Sequence, residues 1–375
     1  MSSVLVVSGH KDFNTGGVGT HLRVLHEEMV LQNVRNSFIL GKTKFFSGLS
    51  FFYRKIRKLD AYGQFELQVL GLSNKIKKNL DNKIFVIDCH DFPALVSAIR
   101  LRERYKYKFK VIYTVHAPFY EQYSLMNQKF NKESLHKLKN IEIEYLSKCD
   151  GFVCVDDKQR DIIEKKLSRK ISNIVLPNAV NLRFLDTFIR KEDSERYIVI
   201  SRHLYKKCGI HIGIEGFSKA NIDPKIKLVI VGMGDEFDSL SKQVEELKLQ
   251  DRVIFKGRLP YEESISCTAN AIASLVPSIP LGDYVEATSL SMLEGMALGV
   301  PVIASNIGGL KQVLNNTNAG ILVEPNDSDA IAQAIEKVIK DNDFRNQISI
   351  NSRSLIEENY SSNSWLKNRL NFYKS

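Results

Sequence analysis

The chain has 375 residues, with 53 basic against 43 acidic side chains and a net charge of +10. Its 43% apolar and 26% charged composition excludes a disordered, collagen-like or small disulfide-held chain, and no apolar run approaches the ~18 residues of a membrane-spanning helix. At roughly 150 residues per domain the length predicts two domains. In chain order, Ser3 to Ser8 reads as a buried first strand, too short an apolar run for a signal peptide. Gly16-Gly17-Val18-Gly19 then opens a helical pattern running to Leu31. Strands are expected at Lys83–Asp88, Lys110–Val115, Gly151–Val155 and Asn173–Leu176, with a helix at Lys132–Lys148. A second series follows at Tyr197–Ser201, Lys227–Val231, Arg252–Phe255, Ala271–Val276, Val302–Ala304 and Gly320–Val323. Helices are expected between them at Phe237–Leu247 and Ser328–Ile339, and a last one near Ser361–Phe372 carries the single Trp365. Strand–helix alternation means parallel sheets covered by helices. The strands are too many for one sheet, and the polar stretch Asp186–Arg196 is a natural boundary. The reading is two doubly wound domains across a cleft, with ligands beyond the carboxyl ends of the strands. Five cysteines without a Cys-x-x-Cys pair suit a reduced cytosolic protein.

The positive charge is uneven. Residues 1–180 carry 30 basic and 18 acidic side chains, and residues 181–375 carry 23 and 25, which points to an anionic partner for the first half. Lys42–Lys58 holds six basic residues and no acid among Phe45, Phe46, Phe51 and Phe52, a composition suited to an anionic membrane surface. Arg100–Lys110 also holds six basic residues, and reads as a solvated helix face leading into an edge strand blunted by lysines. No zinc-finger spacing or RNP-type aromatic motif supports a nucleic-acid partner.

The glycines at 16, 17 and 19 let backbone N–H groups approach a phosphate, or simply make a tight turn. They are not a dinucleotide fingerprint, since Leu22 stands where the third Gly belongs, and Gly232-x-Gly234 fails likewise at Phe237. Arg202 and Lys207 follow the first strand of the second half, a position that suits an anionic diphosphate. Glu286 and Glu294 flank seven residues that read as the first turns of a helix, about 12 Å apart at helical rise. That is too far for a hydrolase pair and about right for the two ends of one elongated ligand. The plain alternative is one Glu at a helix N-terminus and one in solvent.

Pro277-Ser278, Glu286, Glu294, Ala297, Gly299, Pro301-Val302-Ile303 and Gly308-Gly309 together closely resemble the signature of the family-four retaining glycosyltransferases. The resemblance runs through Gly16-Gly17, His116, Pro177-Asn178, Arg202 with Lys207, and Gly232-x-Gly234. It implies a GT-B fold of two Rossmann-like domains, here 1–185 for the acceptor and 186–358 for a nucleotide-sugar donor, with a helix over 359–375 crossing back to the first domain. It implies that Arg202 and Lys207 stabilise the leaving diphosphate, that Glu286 holds the donor sugar and Glu294 the ribose, and that His116 lines the acceptor side. Gly16, Gly17, Gly232, Gly234, Asp283 and the turn Ala287-Thr288-Ser289-Leu290 would line the substrates. The sequence departs where Ala287 replaces the usual Gly, where Cys208 follows the Lys, and where the loop before Glu286 adds Asp283 and Tyr284.

The expected function is therefore transfer of a sugar, with retention, from a nucleotide-diphosphate sugar to a glycan or lipid-linked acceptor in cell-surface polysaccharide assembly. The enzyme is expected peripherally on the cytoplasmic face of the membrane, with no metal or other cofactor. A cytosolic transferase with a small soluble acceptor and a non-catalytic nucleotide-sugar-binding protein are the alternatives.

Overall fold

The structure is a computed structural model that describes residues 3–13, 16–41, 59–81, 83–126, 130–189, 196–281 and 285–375. They form two compact units, Met1–Pro177 with Leu366–Ser375, and Asn178–Trp365. The first unit is built on six parallel strands: β1 (Ser3–Ser8), β2 (Asn36–Leu40), β3 (Ile84–Cys89), β4 (Lys110–Val115), β5 (Gly151–Cys154) and β6 (Asn173–Val175). Their order is β2-β1-β3-β4-β5-β6. The second is built on β7 (Tyr197–Ser201), β8 (Lys227–Val231), β9 (Val253–Gly257), β10 (Ala273–Val276), β11 (Val302–Ser305) and β12 (Ile321–Val323), in the order β12-β11-β10-β7-β8-β9. Both are Rossmann-like doubly wound sheets. Parallel strands covered on both faces need continuous apolar runs, and all six residues of β1 are buried.

The direction of winding reverses once in each sheet. The chain leaves β2 on one side of β1 and returns as β3 on the other; it leaves β9 and returns as β10 on the far side of β7. These reversals open crevices beyond the carboxyl ends of β1 and β3, and of β7 and β10.

The structure corrects the reading of Arg100–Lys110, adds a strand and divides the chain by contacts a few residues before the expected boundary. β2 gave no clear signal because only Ile39 of its five residues is buried. Lys110 begins a central strand, paired on both sides, and not an edge strand. The basic segment before it is not a plain solvated face either: Arg100 forks onto Glu66 and donates to Tyr145, Arg102 pairs with Asp150, and Lys106 is the left-handed cap of the helix Phe92–Tyr105. The units divide at Pro177/Asn178, ahead of the charged stretch after Leu185. Val180 and Leu185 pack with Met292, Leu293 and Ile356, and Val180 bridges Ser361. The helix Ser362–Lys374 starts in the second unit, where Trp365 is buried, and its residues from Leu366 belong to the first. No helix among the described residues is long and apolar enough to cross a membrane. The segment Lys42–Lys58 lies outside the described residues, as do Asp283 and Tyr284.

Gly209 makes the turn between Cys208 and the helix Ile210–Lys219 at φ +62°, and a Cβ there would lie 1.8 Å from the Pro277 carbonyl oxygen. Strand-end loops after β7 and β10 therefore touch through a bare glycine. Gly209→Ala is expected to lose about 2 kcal/mol or more of stability, from backbone strain plus the clash. Denaturant unfolding checks it; a loss under about 0.5 kcal/mol would show that the loops move apart freely.

Candidate functional site

In the second unit the crevice is built from the ends of β7 and β10. Arg202 follows β7, and its backbone is anchored by donating to Val231 O (2.9 Å). Gly232 and Gly234 sit beneath that loop: a Cβ on Gly232 would lie 1.9 Å from Arg202 O, and one on Gly234 2.4 Å from Leu204 O. Their geometry supports Arg202 from below, a role that explains both glycines without ligand contact. The Arg202 guanidinium is largely buried. Nη2 pairs with Glu286 Oε1 at 3.1 Å, Nη1 donates to Ser289 Oγ at 3.3 Å, and Nη2 reaches Cys208 Sγ at 3.7 Å. Cys208, at the position that departs from the family pattern, thus packs beneath Arg202, and the left-handed turn falls on Gly209 instead.

Lys206 and Lys207 share one turn of 3-10 helix but part company. Lys206 is exposed and its charge acts on His211; Lys207 is partly buried and acts, with Arg202 and Arg258, on His203. Burial lowers the His203 pKa first, and these cations lower it further. Lys207 therefore belongs to the same positive cluster as Arg202.

Glu286 is not in a helix, contrary to the spacing argument. The helix begins at Leu290 and is capped by Ser289, whose Oγ accepts from Met292 N–H at 3.4 Å. The preceding turn is clamped from two sides. Gly309 N–H donates to Glu286 O (3.0 Å), and Asn178 Nδ2 donates to Thr288 O (2.7 Å). Gly308 (φ +46°) allows this approach, since a Cβ would lie 2.2 Å from Glu286 O. Glu286 Oε1 is held by Arg202, whereas Oε2 is buried with no hydrogen-bond partner among the described residues. A buried acceptor without a donor is costly and marks a place for one. Glu294, on the helix, accepts from Tyr261 Oη at 2.8 Å, a partner that sequence reasoning missed. The Leu290 side chain enters the apolar core, so only its backbone faces the turn.

In the first unit, Asp91 closes the β1/β3 crevice. Its Oδ2 accepts from Ser8 Oγ (2.8 Å) and Gly9 N–H, and its Oδ1 caps the helix Phe92–Tyr105 through Ala94 N–H (3.0 Å). Gly17 faces open space, with nothing within 4 Å of a Cβ. His116, partly exposed beyond β4, contacts His90 Nδ1 through Nε2 at 3.2 Å. Behind them is a buried polar cluster the sequence did not reveal. His90 Nε2 meets Asp88 Oδ2 at 3.0 Å, Thr114 Oγ1 donates to Asp88 Oδ1 at 2.7 Å, and Arg369 and Tyr373 reach Asp88 from the last helix. Burial alone pushes Asp88 up, but Arg369 and His90 outweigh it and hold the carboxyl well below its usual range. His21, His90 and His116 offer ring nitrogens within 4.8 Å of one another. However, His90 Nε2 is committed to Asp88 and His21 Nε2 stands 3.3 Å from Arg369 Nη1. A cation there would lie close to the Arg369 guanidinium, whose charge opposes it.

Comparison with known families decides the relationship. Residues 15–184 match the model described as Glycosyltransferase Family 4, and residues 184–355 the model described as Glycosyl transferases group 1. The chain belongs to the family-four glycosyltransferases. Over 184 residues it is 30% identical to an uncharacterised glycosyltransferase of Methanocaldococcus jannaschii, covering 49% of this chain and 46% of that one. The chain spans about half the length of the curated relatives it matches. The fold of this family member is also that of a sucrose-phosphate synthase from Thermosynechococcus elongatus, with a TM-score of 0.79 at 20% identity over 100% of this chain and 98% of that one. It is likewise that of Anabaena HepE in complex with UDP and glucose, with a TM-score of 0.71 at 14% identity over 99% and 100%.

Burial, with help from His90 and Arg369, holds the His116 pKa well below the ordinary 6.5. The unfolded chain therefore takes up a proton as pH falls below about 6.5 while the folded chain does not, so this contribution to stability is present above that pH and lost below it. His203 and His211 act with the same sign, and the buried carboxylates Asp91, Glu142 and Asp156, raised by burial, act oppositely at lower pH. Comparing wild type with His116→Gln isolates the one histidine. Between about pH 7 and pH 5 the variant should lose stability less steeply, by up to about 1.4 kcal/mol per pH unit. Parallel slopes in urea unfolding would mean that His116 titrates in the fold as it does in water.

Proposed function

We propose that this chain transfers a sugar, with retention of configuration, from a nucleotide-diphosphate sugar to a glycan or lipid-linked acceptor. The observation that carries the reading is the Arg202–Glu286–Ser289 cluster beyond β7 and β10. A buried guanidinium with Lys207 nearby suits a leaving diphosphate, whose growing charge preorganised cations stabilise without reorganisation. The helix N-terminus at Leu290 adds positive potential on the same side. Glu286 Oε2 is placed to accept from a sugar hydroxyl, and Glu294, steadied by Tyr261, from the ribose. Anabaena HepE, which shares the fold, binds UDP together with glucose, and this supports a uridine nucleotide as donor here. The acceptor is assigned to the first unit, around Gly17 and His116. No metal is assigned a role. The excess of basic residues in the first half supports a phosphate-bearing acceptor in cell-surface polysaccharide assembly at the inner face of the membrane.

Four variants test the assignment. Glu294→Ala should weaken binding of the free nucleoside diphosphate by roughly tenfold, the worth of one good hydrogen bond to an ionised group. Glu286→Ala should bind it nearly as wild type and lose sugar transfer. Lys207→Ala should lose about a hundredfold in rate while Lys206→Ala retains most of it. Calorimetry with UDP and GDP, followed by product analysis with the matching nucleotide sugars, provides the readouts. Equal losses of nucleotide binding in the two Glu variants, or Lys206 as the sensitive lysine, would remove the assignment.

A further inference from the structure

The buried cluster behind His116 restricts where its protons can sit. Two of its members have only one hydrogen-bonding character: an ionised carboxylate only accepts and a guanidinium only donates. Asp88 and Arg369 are both fully buried and joined, with Arg369 Nε 3.5 Å from Asp88 Oδ2. From these two ends the rest follows. His90 Nε2 faces Asp88 Oδ2 at 3.0 Å and carries a hydrogen toward it, so a ring with one hydrogen has Nδ1 as an acceptor. His116 Nε2 faces that Nδ1 at 3.2 Å and must therefore donate. His21 Nε2 faces Arg369 Nη1 at 3.3 Å and must accept, which puts the His21 hydrogen on Nδ1. Thr114 accepts from Arg369 Nη2 and donates to Asp88 Oδ1, and Tyr373 Oη donates to Asp88 Oδ2. His21 also packs edge-on against the other two rings, 4.6 Å from His116 and 5.2 Å from His90. With one hydrogen on each ring, this arrangement satisfies the ring contacts.

We propose that Arg369 and Tyr373, on the last helix, are positioning residues. Through Asp88 they set the tautomer of His90, and through His90 that of His116, so that His116 presents an unprotonated Nδ1 that accepts a hydrogen bond from the acceptor hydroxyl. This rests on the reading of the first unit as the acceptor side. The partly exposed His116 is the outermost member of a chain whose inner members are sealed. Without Arg369 the Asp88 charge has lost its counter-ion and His21 is free to place its hydrogen on Nε2, facing the same cluster. The same helix is held against the start of β5, where a Cβ on Gly151 would lie 2.8 Å from the Phe372 ring.

The tautomers are directly observable. In the 15N-labelled full-length chain near neutral pH, long-range proton–nitrogen correlations report which nitrogen of each ring carries hydrogen, with single-histidine variants for assignment. The expected pattern is hydrogen on Nε2 in His90 and His116 and on Nδ1 in His21. In Arg369→Met the His21 hydrogen should move to Nε2, and Arg369→Lys should restore it. Hydrolysis of whichever nucleotide sugar the wild type turns over should fall at least tenfold in Arg369→Met, with its KM changed less than twofold. Hydrogen on His116 Nδ1 or His21 Nε2 in the wild type, or tautomers that ignore Arg369→Met, would overturn the proposal. If Arg369→Met does not fold, the wild-type pattern and Arg369→Lys decide in its place. The expected tautomers in a chain that turns over no nucleotide sugar would uphold this wiring and remove the transfer reading instead.

Discussion

A parallel sheet delivers the carboxyl ends of all its strands to one edge, and where the winding reverses the loops there must separate. That constraint, applied twice in this chain, places nearly everything of functional interest. The reversal between β1 and β3 collects Ser8, Asp88, His90 and Asp91, with His116 one strand further on. The reversal between β7 and β10 collects Arg202, Lys207, Pro277 and the turn before Leu290. The catalytic candidates are spread over the sequence because the constraint acts on strand ends and not on neighbours along the chain.

Two buried ion pairs then do different work. Burying a charged pair is seldom stabilising by itself, because desolvation offsets the attraction. Asp88 and Arg369 have no exposure, and both oxygens of the carboxylate are engaged by His90, Thr114 and Tyr373. That carboxylate is fully engaged, and it orients its surroundings. Arg202 and Glu286 are different: the pair is left with Glu286 Oε2 unsatisfied among the described residues. An open acceptor beside a guanidinium is a disposition to bind, which is why the donor is assigned there.

Much of the fold was legible. Val- and Ile-rich runs at Ser3–Ser8, Tyr197–Ser201 and Lys227–Val231 appear as strands with those bounds, because doubly covered strands must be apolar throughout. β2 escaped because an edge strand buries little. The site was legible in its types and less so in its geometry. The Glu286 and Glu294 spacing suggested helix directly after Glu286, but it begins only at Leu290, because the turn before it has its carbonyls taken by Gly309 and Asn178. The cluster at Asp88 was invisible for a different reason. His21, Asp88, Thr114 and Arg369 are 348 residues apart at the extremes and meet only after the sheet and the last helix have formed. Nothing local in Arg369 or Tyr373 sets them apart from other residues of an amphipathic helix.

The central claim is that the nucleotide diphosphate binds at the strand ends of the second unit. Hydrogen exchange of the full-length chain, with and without saturating UDP or GDP, tests it most directly. The account predicts that the largest slowing falls on backbone amides of residues 201–209, 277–281 and 286–294. Slowing confined to residues 8–21 and 84–116, or to neither unit with either nucleotide, would contradict it.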